Sequence, residues 1–352
     1  MDKNITYIVA ILAVVSVVFS AYGFINFQGR ISDLEGELAT IHNMEGQLDS
    51  IQEQITEYQE KIEEYQNRTL VDDMGNVVTF TSPPERIVSL SPALTEIVFA
   101  IGAGDNVVGV TDYCNYPYNF TAWIEAGNMS SIGSYYHPST EPIVALEPDL
   151  VLAHSSSLDA AENLKDLGYN VLIAEGRNVD TVLEAILLVG RATYLDSNAS
   201  ALVTEMREKI DTITNQVEEA TTTPKVYHEL YANPIMSAGP DTFIDELVAL
   251  AGGENIFHDA STSWPVVSTE AVVQKNPDVI FFPDMYMGRE ILPGDIEAAK
   301  SRPGWDSITA VQNDAMYVIE SDIISRPGPR IVDALEALAK MIHPEIFGEY
   351  EN

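Results

Sequence analysis

Apolar and polar residues follow different rhythms in different parts of this chain. From Ile5 to Phe27 an apolar run is interrupted by no charge, and it is long enough for a bilayer core, which needs ~20 residues. Tyr7 at one end and Tyr22, Phe24 and Phe27 at the other have the placing of interfacial aromatics. From Ile31 to Tyr65 the apolar positions are Ile31, Leu34, Leu38, Ile41, Met44, Leu48, Ile51, Ile55, Tyr58, Ile62 and Tyr65. Spacings of 3 and 4 alternate there apart from a doubled 3 at Met44, which is a coiled-coil seam with a stammer. Beyond Val71, short apolar runs at strand length alternate with helical patterns. That alternation predicts a parallel sheet built from βα units.

The first run is predicted to be a retained anchor. A cleaved signal has an apolar stretch of only ~7–15 residues and a small-residue cleavage site, whereas this one is longer and ends in Asn26-Phe27-Gln28. Lys3 precedes it and an acidic segment follows, which predicts a cytoplasmic N-terminus and an extracytoplasmic remainder after Arg30. The seam calls for a partner helix, so a homodimeric or homotrimeric stalk and a single helical spacer are its two readings. Ten acidic residues against Arg30 and Lys61 leave the segment at −8. Gly36 and Gly46 each cost a helix about 1 kcal/mol relative to Ala.

In the remainder, Asp72 to Asn76 reads as a turn before a strand at Val77–Phe80, and Arg86 to Leu90 as the first core strand. Ser91-Pro92 reads as a helix start, with Pro where its missing N–H costs nothing. Further strands are predicted at Val107–Val110, Leu150–Ala153 and Val171–Ala174. A helical pattern from Thr181 to about Glu219 separates this region from a second strand–helix series, which starts at Lys225 and ends in a helix over Arg330–Ile342.

The two series repeat each other. Glu141-Pro-Ile-Val-Ala-Leu-Glu-Pro-Asp-Leu-Val matches Glu270-Ala-Val-Val-Gln-Lys-Asn-Pro-Asp-Val-Ile, and Glu96-Ile-Val-Phe-Ala-Ile-Gly102 parallels Glu246-Leu-Val-Ala-Leu-Ala-Gly252. A duplicated order of helix, Glu, Pro-Asp and strand implies two similar lobes with a cleft between them, where small ligands bind.

Charge and chemistry narrow the function. The 352 residues carry 18 basic and 54 acidic side chains, a formal charge of −36, which excludes nucleic acid as a partner. Cys114 is the sole cysteine, so neither an internal disulfide nor a lipid-bearing cysteine after the apolar run is available. His137, His154, His228 and His258 show no paired spacing, so no metal site is expected. Gly102-Ala-Gly104-Asp-Asn-Val-Val-Gly109 follows a helix instead of a strand and lacks the third glycine of a dinucleotide loop. No nucleophile elbow or phosphate loop occurs, so no catalytic residue and no enzymatic activity are expected. Asn67, Asn119, Asn128 and Asn198 stand in glycosylation-type sequons.

Arg86-Ile-Val-Ser-Leu-Ser-Pro-Ala-Leu-Thr-Glu96, Val108-Gly-Val, the paired Glu/Pro-Asp units and Gly252-Gly-Glu-Asn-Ile-Phe257 together carry a resemblance. From about Val71 to the end, the chain resembles the substrate-binding proteins of ABC importers whose lobes are joined by one long helix, a class that binds cobalamin, ferric siderophores, haem and some metals. It is most similar to the cobalamin binders. The resemblance implies that Tyr113 packs on a corrin, that Tyr135 replaces a cleft tryptophan and that Trp264 is the cleft tryptophan of the second lobe. It implies polar ligand contacts from Asp322 and Arg326, and a helix-start arginine at Arg330. It implies that Glu141 and Glu270 meet arginines of the membrane permease. Ile323 stands where an aromatic would favour a corrinoid, so a ferric siderophore and haem stay open as ligands, with His137 as a candidate haem ligand.

The expected architecture is therefore α/β, with two Rossmann-like lobes joined by a long rigid helix and preceded by a transmembrane helix and a coiled-coil-like stalk. The boundaries are 1–29 for the anchor, 30–70 for stalk and linker, 71–190 for the first lobe, 191–223 for the inter-lobe helix and 224–352 for the second lobe. The expected role is ligand capture for an ABC permease and its ATPase, with no resident cofactor and the corrinoid as cargo. A tethered sensor or adhesion ectodomain is the reading from another class. Against it stands the short segment before the anchor, which holds no signalling domain.

Overall fold

The structure, a computed structural model, describes residues 3–286, 289–291 and 293–351. By internal contacts the chain divides into the units Met1–Tyr65 and Gln66–Asn352.

Helix α1 (Lys3–Gln66) is one helix of 64 residues and runs unbroken through Gly36 and Gly46. Within it, Val9–Ile31 is apolar and long enough to cross a membrane, and it is wholly unburied. Among the seam residues, Leu34, Leu38, Met44 and Ile51 are exposed.

In the second unit, the first sheet holds β3 (Ile87–Ser89), β4 (Val107–Val110), β5 (Ser130–Ser131), β6 (Leu150–Ala153) and β7 (Val171–Ile173). All pair in parallel, in the order β5-β4-β3-β6-β7. The connecting helices are α2 (Pro92–Ala100), α3 (Phe120–Glu125), α4 (Thr140–Ala145) and α5 (Leu158–Asp166). A small antiparallel hairpin, β1 (Arg68–Val71) with β2 (Val77–Phe80), precedes this sheet. Residues 68–70, expected in the linker, thus belong to the globular unit, because Leu70 is buried in the same core as Phe80. The buried Asp72 carboxylate accepts the N–H groups of Met74, Asn76 and Ile173, which ties the hairpin turn to β7. Helix α2 starts at Pro92 as expected, but Ser91 does not cap it through its hydroxyl. Instead the Ser91 carbonyl accepts the Thr95 N–H and hydroxyl.

The second sheet holds β8 (Lys225–His228), β11 (Glu254–Asn255), β12 (Val279–Pro283) and β15 (Met316–Ile319). It too is parallel, ordered β11-β8-β12-β15. Two short ribbons flank it, β9 (Tyr231–Ala232) with β10 (Ile235–Met236), and β13 (Met285–Tyr286) with β14 (Arg289–Glu290). Its helices are α8 (Phe243–Leu250), α9 (Thr269–Lys275), α10 (Pro293–Lys300), α11 (Thr309–Gln312), α12 (Ser321–Ser325), α13 (Ile331–Ile342) and α14 (Pro344–Phe347).

Between the sheets lie α6 (Val179–Ala192) and α7 (Asp196–Val217). The helical run expected from Thr181 to Glu219 is therefore two helices, and the one expected over 191–223 spans 22 residues. The chain turns at Tyr194, whose φ is +62°. Arg68 stacks 4.0 Å over the Tyr194 ring and reaches Asp196 at 2.6 Å, which holds that corner. Gly190 lets α6 and α7 touch: a Cβ there would stand 2.3 Å from the Ala199 Cβ.

Strand alternation sorts the apolar side chains into layers. Ile87, Leu150, Leu152 and Leu172 of the first sheet share one core with Val226, Val279 and Phe281 of the second, filled out by α6, α7, α8 and α13. Their neighbours face outward into separate clusters, Val88, Val151 and Val171 on one side and Tyr227, Ile280 and Phe282 on the other. Every residue of β6 and β12 is buried, so each reads as an unbroken apolar run, as strands covered on both faces do.

Candidate functional site

In open parallel sheets, ligands lie beyond the carboxyl ends of the strands, at the point where strand order reverses. The first sheet reverses between β3 and β6, and the second between β8 and β12. Tyr113 follows β4, Tyr135 follows β5, Trp264 follows β11, and Asp322 and Arg326 follow β15. Each of the expected ligand residues is therefore on a segment leaving a carboxyl edge.

On the first lobe the aromatics form a wall. Tyr113 is 50% exposed, and its ring stands edge-on to Tyr136 at 5.9 Å, which in turn meets Tyr135 at 5.1 Å. Exposed rings that already touch offer a large apolar surface at little ordering cost. Tyr135 is more enclosed, and burial pushes its phenol pKa up. Its hydroxyl lies 3.4 Å from Nδ1 of His154, the first residue after β6 and so at the switch point.

His154 Nδ1 accepts the Ser156 N–H at 3.3 Å, which leaves the ring proton on Nε2, 3.6 Å from the Glu175 carboxylate. Burial holds the imidazole below its ordinary pKa against the pull of Glu175, so the ring is neutral near pH 7. Glu175 is itself buried after β7 and accepts the Ser155 N–H and hydroxyl. The sequence pointed to Tyr135 but not to His154 or Glu175, since the histidines were weighed for paired metal spacing and, at His137, for haem. The signal for His154 was a histidine placed directly after a four-residue apolar strand. Among the described residues no group of three or more His, Cys, Asp or Glu is placed to hold a metal.

On the second lobe, Trp264 is 42% exposed in a loop laid against β10 by the bonds Ser237 N–H to Pro265 O, 3.1 Å, and Gly239 N–H to Ser263 O, 2.8 Å. Gly239 permits the approach, since a Cβ there would lie 2.4 Å from the Thr262 carbonyl oxygen. At the switch point, the buried Glu229 is taken by Arg302, which grips both its oxygens and stacks 4.6 Å over Trp305.

Asp322 and Arg326 are brought together. Arg326 Nη2 donates to the Asp322 carboxylate at 2.7 Å and to the Tyr113 carbonyl at 2.9 Å. Its Nη1 donates to Asn115 Oδ1 at 2.7 Å and Glu96 at 3.0 Å, and Asn115 Nδ2 returns a bond to Asp322 at 2.7 Å. Arg330 donates to the same Glu96 through Nε and Nη2, at 2.9 and 2.8 Å, and to Glu320 at 2.7 Å. The polar floor beside Tyr113 is thus a closed network with Arg326 at its centre, its side chain 12% exposed. Cys114 lies buried beneath the same loop, between the Thr95 and Thr111 hydroxyls.

Glu141 and Glu270 occupy the same place in their lobes: the second residue of α4 and of α9, after Ser139 and Ser268. Both are exposed, and neither has an ion-pair partner among the described residues. The Ser139 hydroxyl lowers the Glu141 pKa, and backbone N–H donation followed by Ser268 lowers that of Glu270. Each therefore presents a full negative charge from a helix start that favours one.

A profile of the family described as periplasmic binding protein matches residues 87–323. An uncharacterized ABC transporter substrate-binding lipoprotein of Bacillus subtilis is 34% identical over 293 residues, covering 79% of this chain and 87% of that protein. The crystal structure of the periplasmic vitamin B12 binding protein of Vibrio cholerae matches with a TM-score of 0.63 at 27% identity, over 74% of this chain and 97% of that one. The apo form of a periplasmic haem-binding protein from Roseiflexus matches with a TM-score of 0.65 at 26% identity, over 74% and 98%.

Proposed function

Because this chain belongs to the periplasmic binding protein family, we propose that it captures a corrinoid between its lobes and delivers it to an ABC permease. One observation carries the ligand reading: exposed aromatic faces stand at the carboxyl edges of both sheets, Tyr113 and Tyr136 on one and Trp264 on the other. A flat macrocycle buries well between such faces. Tyr135, held against His154, continues the wall. Asp322, held in place by Arg326, supplies the polar side, where its carboxylate suits amide donors such as those of a corrin periphery.

Binding here needs no chemistry from the protein. The similarity to a vitamin B12 binding protein supports the corrinoid, while the similarity to a haem-binding protein makes haem the ligand to test beside it. Titration of the full chain with cyanocobalamin, haem and a ferric hydroxamate, followed by visible absorption and calorimetry, decides among them. We expect cyanocobalamin at micromolar Kd or tighter, about −8 kcal/mol or more favourable. Trp264→Ala should weaken it by ~1–3 kcal/mol, the scale of one buried aromatic contact. Haem or ferric hydroxamate binding tightly while cyanocobalamin does not would transfer the cleft to that ligand.

In this reading α1 is a retained anchor with its N-terminus in the cytoplasm. Its charged second half is the spacer or self-associating stalk, and Glu141 and Glu270 are the charges that meet the permease.

A further inference from the structure

We infer that Glu96 and Glu246, the glutamates at equivalent places in the two repeats, are lobe-to-lobe locks that hold the empty cleft at its ligand-binding width. This rests on the binding function proposed above only for what the cleft receives.

Both belong to the helix that each repeat ends with glycine, α2 at Gly102 and α8 at Gly252, with φ values of +92° and +80°. Each reaches across to the other lobe. Glu96, 2% exposed, leaves α2 of the first lobe to bind Arg326 and Arg330 of the second. Glu246 leaves α8 of the second lobe and accepts the Val179 N–H at 2.7 Å. Val179 is the first residue of α6, the helix that follows the first sheet. That N–H has no partner within its own helix, and the helix dipole favours a carboxylate there.

The crossing at Glu96 is reinforced by shape. Between the two arginines, Pro327 lies against Gly176 of the first lobe so closely that a Cβ on Gly176 would stand 2.5 Å from the Pro327 Cβ. Gly328 packs on Ala93, the carbonyl of which would be 3.4 Å from an added Cβ. The segment from Arg326 to Arg330 is therefore a wedge of the second lobe seated in the first, with its charges closed on one buried carboxylate. Opening the lobes would expose the apolar contacts and strip the buried Glu96 carboxylate of both arginines, which keep Asp322 and Glu320 within their own lobe, and a buried charge left unpaired is costly. A cleft held in this way needs little movement to bind, so the ligand loses little affinity to selecting a rare open or closed state.

The test is a distance between lobes in the ligand-free full chain. Spin labels are placed at Glu162→Cys in α5 and Ala298→Cys in α10, both exposed, while Cys114 is 4% exposed and stays unlabelled. We expect one narrow distance distribution that cyanocobalamin hardly shifts. Glu96→Gln and Glu246→Ala should each broaden it without ligand. If broadening leaves a tenth of the molecules competent, the apparent Kd rises about tenfold. Should Glu96→Gln not fold, Glu246→Ala, which removes only one half-buried acceptor, decides alone. Wild-type distributions in the folded variants would overturn the lock, even if the variants melt earlier. A wild-type chain that ignores cyanocobalamin refutes the ligand reading and leaves this result standing.

Discussion

At the residue scale, the most unusual group is His228, at the end of β8. It is 2% exposed, stacks on Phe281 at 4.5 Å, and neither ring nitrogen has a hydrogen-bond partner among the described residues. Burial pushes its pKa from 6.5 down to about 3. The folded protein therefore holds the ring neutral, while the unfolded chain takes up a proton near its ordinary value. Stability from this group is complete above about pH 6.5 and falls by about 1.4 kcal/mol per unit as acid approaches pH 3. His228→Phe keeps the stack and removes the proton acceptor. Urea unfolding at pH 7 and pH 5 should show the wild type losing about 2 kcal/mol more than the variant between them. Equal losses would mean that the ring is protonated or solvated when folded.

At the element scale, the corner between α6 and α7 decides where α7 begins. The helical periodicity of Thr181 to Glu219 carries no strong breaker, so the sequence reads it as continuous. The division at Tyr194 comes from tertiary contacts: Arg68 across its ring, and Gly190 against Ala199. Gly190→Val would force those helices apart. Overpacking of this kind costs ~1–3 kcal/mol, and a chemical denaturation midpoint shifted down with an unchanged m-value would show it. A variant as stable as the parent would mean that the helices separate freely. The short elements were legible for the opposite reason. Val107–Val110 and Leu150–Ala153 are bounded by turn residues and buried on their sheets, so pattern and environment agree.

At the scale of the whole molecule, charge and duplication set the expectations. A stalk segment at −8 that self-associates through its seam should do so more strongly as salt screens repulsion. Sedimentation of residues 28–352 at low and high salt is expected to show an increase in mass with salt. A monomer in both, at tens of micromolar, makes the segment a spacer. Glu141→Ala combined with Glu270→Ala should abolish uptake through the permease while leaving ligand affinity of the purified chain unchanged. Uptake that survives the double substitution would remove these carboxylates from docking and revive the sensor reading.

Family resemblance singled out Tyr113, Tyr135 and Trp264, and the sequence alone determined the repeated α/β plan and the apolar N-terminal helix. Plan and helix follow from periodicity, turn residues and duplicated spacing, which are local and survive in one dimension. Tertiary structure alone decided which charges neutralise one another. Arg326 looks from sequence like a free cation for an anionic ligand, yet it is closed on Glu96, Asp322 and Asn115, residues as many as 230 positions away. Glu96 looked like part of a helix pattern until folding placed two arginines on it. The reason is that burial and pairing of charge depend on distances between segments remote in sequence, and no local rhythm encodes those distances.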